Sequence, residues 1–104
     1  MSNWKLICPL EDIPKLGSRV VQQASGGDIA VFCTSEDEVF GLHDKCPHKG
    51  GPLSQGMVHG ETVTCPLHGF KIGLQDGAAL APDKGCAKTF AVKLDGGAVW
   101  LRLG

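Results

Sequence analysis

Four residues in one stretch have the types and spacing to hold metal. The segment CPHKGGPLSQGMVHGETVTCPLHGF, from Cys46 to Phe70, contains Cys46-x-His48 and, after sixteen further residues, Cys65-x-x-His68. It holds three of the chain's four histidines, and a proline follows each cysteine. Three metal readings compete on donor type. A zinc finger groups Cys with Cys and His with His, so a mononuclear zinc site is possible here but off-pattern. A cluster held by four thiolates needs a cysteine spacing that the chain lacks. An iron–sulfur centre in which one iron takes two thiolates and the other two imidazoles fits one Cys and one His in each of two places.

Such donors need a scaffold that brings two places together. The apolar runs are short and rich in β-branched residues: RVVQ at Arg19–Gln22, IAVFCT at Ile29–Thr34, EVFGL at Glu38–Leu42, TVTC at Thr62–Cys65, FKIGL at Phe70–Leu74, TFAVKL at Thr89–Leu94 and AVWLRL at Ala98–Leu103. Turn chemistry bounds each of them. Asp95-Gly96-Gly97 is the best hairpin signal, and Gly26-Gly27-Asp28 predicts another turn. LEDIPKLGS predicts a loop or a single helical turn. The pattern reads as an all-β antiparallel domain, a sandwich or small barrel. Cys46–His48 then falls on one loop and Cys65–His68 on a second. Met57–Thr64 can supply a hairpin that draws the two loops to one tip.

The whole chain narrows the function classes. Its 104 residues predict one domain over 1–104. A hydrophobic fraction of 42% with 20% charged residues is ordinary globular composition. The formal net charge is −1, and no basic patch invites nucleic acid or an anionic membrane. The N-terminus lacks a signal-peptide pattern, and no apolar run could span a bilayer, which predicts a cytoplasmic address and no membrane partner. Five cysteines are an odd number, against a complete disulfide framework. No nucleophile–base pair, phosphate loop or dinucleotide fingerprint is visible, so catalysis would belong to a complex.

CPHKG and CPLHGF resemble the two cluster-binding boxes of the Rieske family. The resemblance implies that Cys46 and Cys65 hold one iron of a single [2Fe–2S] cluster and that His48 and His68 hold the other. It implies an all-β fold with the boxes on adjacent loop tips, and a third loop at Leu80–Gly85 with Pro82 as lid residue. Pro47 and Pro66 stiffen the loops, while Gly50 and Gly51 leave room for backbone N–H groups near the cluster sulfurs. An oxidised core with two thiolates and two neutral imidazoles is neutral overall. It therefore takes an electron more readily than a four-thiolate cluster, at about −150 to +300 mV against about −400 mV. The added electron is expected on the His-ligated iron, making His48 and His68 the electron port. The high-potential branch carries a disulfide between its boxes and Ser and Tyr hydroxyls at the cluster. Gly51, Leu67 and Phe70 stand at those positions, and the chain has no Tyr, which predicts a low-potential, ferredoxin-like member.

Within the family, the pattern KGGPLSQG-VHG--V-CPLH resembles the small subunit of assimilatory NAD(P)H-dependent nitrite reductase. So do W--IC-L-DIP-LG-RVV, IAVF and APD-GC--TF-VK---G-V-L, and together they cover nearly the whole chain. Asn-Trp is expected after the second histidine where this chain has Gly69-Phe70, and GLQDGAAL also departs from the pattern. The resemblance implies a large partner subunit with FAD, a [4Fe–4S] cluster and sirohaem that reduces nitrite to ammonium. The alternatives are a Rieske ferredoxin feeding a ring-hydroxylating dioxygenase, and a zinc-holding or empty domain that scaffolds another protein. Cys8, Cys33 and Cys86 read as packing residues. His43 reads as a surface residue at a strand end, and His59 as a hairpin-turn residue with a minor case for touching the partner. Lys49 reads as a solvated charge that could meet an acidic redox partner. Trp4 and Trp100 read as core or edge aromatics.

Overall fold

Most of the β-branched runs become strands where their alternation predicts them. The computed structural model describes residues 4–22, 27–45, 52–65, 69, 71–80 and 85–102. Its strands are β1 Trp4–Pro9, β2 Gly17–Val21, β3 Ile29–Cys33, β4 Val39–His43, β5 Met57–His59, β6 Thr62–Thr64, β7 Lys71–Gly73, β8 Thr89–Phe90, β9 Val92–Asp95 and β10 Ala98–Arg102. All ladders are antiparallel. They form three sheets, ordered β1-β10-β9, β2-β3-β4-β8 and β5-β6-β7. Each sheet keeps two edge strands, so none closes into a barrel, and of the two predicted architectures the layered one forms.

Strand β3 organises the layers. Successive side chains of a strand point to opposite faces, and all five residues of β3 are buried. Ile29, Val31 and Cys33 pack with Cys8, Ile13, Val99 and Leu101, which joins the β2-β3-β4-β8 sheet to the β1-β10-β9 sheet. Ala30 and Phe32 face the other way and pack with Leu53, Val58, Val63, Cys65 and Ile72. A strand covered on both faces reads as a continuous apolar run, as IAVFC does.

Two connections carry the geometry. Gly96 and Gly97 close the β9–β10 hairpin at φ 62° and 76°. Positive φ at both central residues is what a two-residue turn needs to match the strand twist. The run TFAVKL, expected as one strand, divides at Ala91. Thr89–Phe90 pairs with β4 in one sheet, and Val92–Asp95 pairs with β10 in another. Gly41 permits this corner, because a β-carbon there would press on a Val92 methyl at 2.8 Å. The LEDIPKLGS segment contains a single 3-10 turn, Leu10–Asp12. Trp4 and Trp100 lie at the sheet surface rather than in the core. The Lys93 ammonium stands 4.6 Å from the Trp4 ring centroid and 6.0 Å from that of Trp100, within cation–π range.

Candidate metal centre

Two strand ends lead into the two segments that carry the candidate ligands. Strand β4 ends at His43, and the chain passes through Asp44 and Lys45 to Cys46. Strand β6 ends at Thr64, and Cys65 follows at once. Cys65 is 1% exposed and belongs to the apolar cluster beneath the β5-β6-β7 sheet. The Gly69 N–H donates to the Cys65 carbonyl at 3.0 Å, closing a turn of the chain after β6. Gly69 sits at φ 70°, in the left-handed region. Cys46, His48 and His68 lie outside the described residues, as do Pro47, Lys49, Gly50, Gly51, Pro66, Leu67, Phe70 and Pro82.

A polar clip closes the base of the first loop, tying its start at Asp44 to its end at Ser54. The Asp44 carboxylate accepts the Ser54 N–H at 2.7 Å and the Ser54 hydroxyl at 2.9 Å. Ser54 is the middle of a 3-10 turn, Leu53–Gln55, whose Leu53 is fully buried. The Ser54 carbonyl accepts the Ser18 hydroxyl at 2.7 Å, which pins the turn to β2. Gly56 follows and packs directly against the Thr64 carbonyl, one residue before Cys65; a β-carbon would collide with that oxygen. Its φ of −78° and ψ of 171° suit any residue, so glycine is required here for room and not for conformation. Sequence reasoning missed Asp44, Ser54 and Gly56 as positioning residues. Their only local signal is the turn chemistry of PLSQG.

The clip gives a measurable expectation. Gly56→Ala forces Thr64 away from the turn, an overpacking that costs about 1–3 kcal/mol. The variant is expected to unfold at a lower temperature and to show an altered visible spectrum, because Cys65 moves with Thr64. An unchanged melt and spectrum would mean that the contact of Gly56 with Thr64 does not set Cys65.

The remaining sequence expectations divide. Met57–Thr64 forms the predicted hairpin, with Gly60 at φ 56° in its turn. His59 is exposed at the end of β5, beside a cleft of about 400 Å³ that is also lined by Cys65, Met57 and Gly69. His43 ends β4 as expected but is half-buried rather than a surface residue. Its imidazole packs against Gly27 so closely that a β-carbon there would collide with Nε2. Cys8 and Cys33 are buried core residues, and burial pushes both thiols up from their ordinary pKa. Cys86 is exposed, on an isolated bridge to Ala78, which corrects its packing role. Thiolate, not thiol, reacts with alkylating agents. Iodoacetamide at mildly alkaline pH is therefore expected to modify Cys86 first, with Cys8 and Cys33 protected until unfolding. Peptide mass spectrometry reads this, and equal labelling of all three would contradict the burial.

The arrangement fits a group that bridges two loops. One soft donor, Cys65, is 1% exposed, the first loop is closed at its base by Asp44 and Ser54, and Gly56 sets that base against Thr64, where the second loop begins. Thiolate and imidazole donors divided between two such loops match an iron–sulfur centre of mixed ligation better than a zinc finger.

Comparison with known proteins points the same way. The family model of the Rieske [2Fe–2S] domain matches residues 3–91. The ferredoxin component of the naphthalene 1,2-dioxygenase/salicylate 5-hydroxylase systems of a Ralstonia species is 31% identical over 102 residues, covering 97% of this chain and 96% of that protein. The 4β-methylsterol monooxygenase of Methylococcus capsulatus is 35% identical over 89 residues; the match takes in 73% of this chain but only 23% of the larger enzyme. Among solved structures, the Sphingomonas yanoikuyae B1 ferredoxin superposes with a TM-score of 0.84 at 27% identity, covering 98% of this chain and all of its own. A protein described as the small subunit of an NADPH nitrite reductase superposes at 0.80 with 26% identity, covering 94% of this chain and 96% of its own. With a layered all-β fold, a buried Cys65 and a family match over most of its length, the chain belongs to the Rieske [2Fe–2S] family, an electron-transfer domain whose cofactor is a [2Fe–2S] cluster.

Proposed function

We propose that Cys46, His48, Cys65 and His68 are the cluster ligands, and that the chain is the electron-transfer small subunit of a cytoplasmic NAD(P)H-dependent nitrite reductase. The segment KGGPLSQGMVHG carries this reading. It resembles the nitrite reductase small subunits in sequence, and residues 52–60 of it build the 3-10 turn, the clip and strand β5 that set Cys65. When bound, the cluster supplies a one-electron redox centre. The chain's own residues fasten the loops that hold it and keep Cys65 dry. Gly69 removes an objection. The nitrite reductase pattern expects Asn at this position, and the left-handed φ of 70° is one that Gly and Asn both adopt readily. The exchange keeps the turn after Cys65.

A second reading has its own observation. The Ralstonia ferredoxin component matches this chain nearly end to end, which supports a Rieske ferredoxin that serves a ring-hydroxylating dioxygenase. Both readings need a redox partner, and the partner separates them. A tagged chain recovered from cells grown on nitrate is expected to bring down a large subunit with sirohaem and flavin absorption bands. Recovery of the domain without such a partner would overturn the nitrite reductase assignment and make a dioxygenase the next partner to test.

A further inference from the structure

Charge is sorted between the two ends of the strands that lead to the ligand loops. At the loop end, Lys45 immediately precedes Cys46. Lys71 pairs with Thr64 across the β6–β7 ladder, one residue before Cys65. The Lys88 carbonyl accepts the His43 N–H at 2.8 Å, at the strand end from which the first loop departs, and the Lys88 ammonium stands 5.2 Å from the centroid of the Phe90 ring. All three lysines are exposed. The described carboxylates at this end are Asp28 and Asp44, and both Asp44 oxygens are engaged by Ser54.

The opposite ends of β4 and β6 are acidic. The β3–β4 turn carries Glu36, Asp37 and Glu38, of which Asp37 is paired with Lys15 at 3.6 Å, and the β5–β6 turn carries Glu61. Glu36, Glu38 and Glu61 line one groove of about 220 Å³, so the two turns are neighbours. From Val39 to His43, and from Glu61 to Cys65, the chain takes four residue steps, about 14 Å in extended conformation. That exceeds the Debye length of about 8 Å at physiological salt. A protein touching the ligand loops therefore feels the lysines and is screened from the acidic turns.

We infer that the domain meets its redox partner through Lys45, Lys71 and Lys88, which engage an acidic surface on that protein while the acidic turns face away. The charge separation orients the domain during encounter, so that approach by the acidic turns is repelled and approach by the loop end is favoured. The inference rests on the electron-transfer role and not on which enzyme is the partner.

Binding of fluorophore-labelled poly-L-glutamate to the cluster-loaded protein, followed by fluorescence anisotropy, tests it without any electron-transfer assay. Affinity is expected to fall with added salt. Reversal of all three lysines, K45E/K71E/K88E, is expected to weaken binding about tenfold, as three exposed charge contacts would. K71E alone is expected to weaken it by a smaller factor, which keeps the test open if the triple variant does not fold. K5E is the control. Lys5 is exposed on β1, in the sheet on the other face of β3 from Cys65, and its reversal is expected to change nothing. Binding that is indifferent to K71E, or that K5E weakens equally, would overturn the inference. The probe contains no nitrite reductase subunit, so the result is independent of the assignment above.

Discussion

Cys65→Ala protein is expected to purify without visible absorption and, after reduction, without an iron–sulfur EPR signal, whereas Cys86→Ser keeps both. Alanine is the informative substitute. Cys65 is 1% exposed inside an apolar cluster, so a serine hydroxyl there would confuse lost ligation with a buried polar group. A methyl group removes the sulfur and leaves the packing nearly intact. His68→Ala is expected to give the same spectral loss from the other iron. Because ligand binding in such sites is linked to folding, both variants are also expected to unfold more easily than the loaded protein. Full absorption and an unchanged EPR signal in either variant would end the four-ligand assignment. Loss in Cys86→Ser would point to a ligand that the spacing argument overlooked.

Phe32→Ala is expected to remove about 3–5 kcal/mol of stability, the range for truncating a buried aromatic. Domains of this size are held by roughly 5–15 kcal/mol in total, so the variant stands near its unfolding threshold at room temperature. Phe32 is fully buried, and it packs from the central strand onto the cluster that holds Leu53, Val63 and Cys65. Truncation opens a void under the 3-10 turn that the Asp44 clip depends on. Urea unfolding is the measurement: the midpoint is expected to drop while the slope stays constant, the sign of lost stability without a changed unfolded state. An unfolding free energy within about 0.5 kcal/mol of the parent's would mean that the Phe32 face of β3 does not bear the load assigned to it.

The chemistry was more legible than the scaffolding that supports it. Donor types and spacing are local, so the four candidate ligands stood out in the sequence, and of these Cys65 lies within the described residues. Strands such as Ile29–Cys33 were equally legible, because burial on both faces leaves a continuous β-branched run. The division of Thr89–Leu94 was not. No turn residue marks Ala91, and the change of sheet depends on the missing side chain of Gly41, far away in sequence. The Asp44–Ser54 clip was hidden for a similar reason, since neither residue type announces its partner across a loop. Cys86 misled because a free cysteine ordinarily packs, whereas here, between Gly85 and Ala87 on an isolated bridge to Ala78, it is exposed. The layered arrangement over a barrel depended on sheet edges, which no local pattern encodes.

Strand β3 divides the interior into two compartments that share one backbone. Cys65 belongs to the Phe32 side, while the other side, built from Ile29, Val31, Cys33, Val99 and Leu101, forms without it. The consequence is an order of assembly. The compartment that lacks Cys65 can close before iron arrives and present a preformed platform, against which the β5-β6-β7 hairpins mature as the metal is loaded. Amide protons on β10 and on β3, whose Ile29, Val31 and Cys33 side chains pack against it, would then stay protected in the iron-free chain, while those of β5 and β6 exchange with solvent. Cofactor delivery would be a late and local event, completed on a chain already half built.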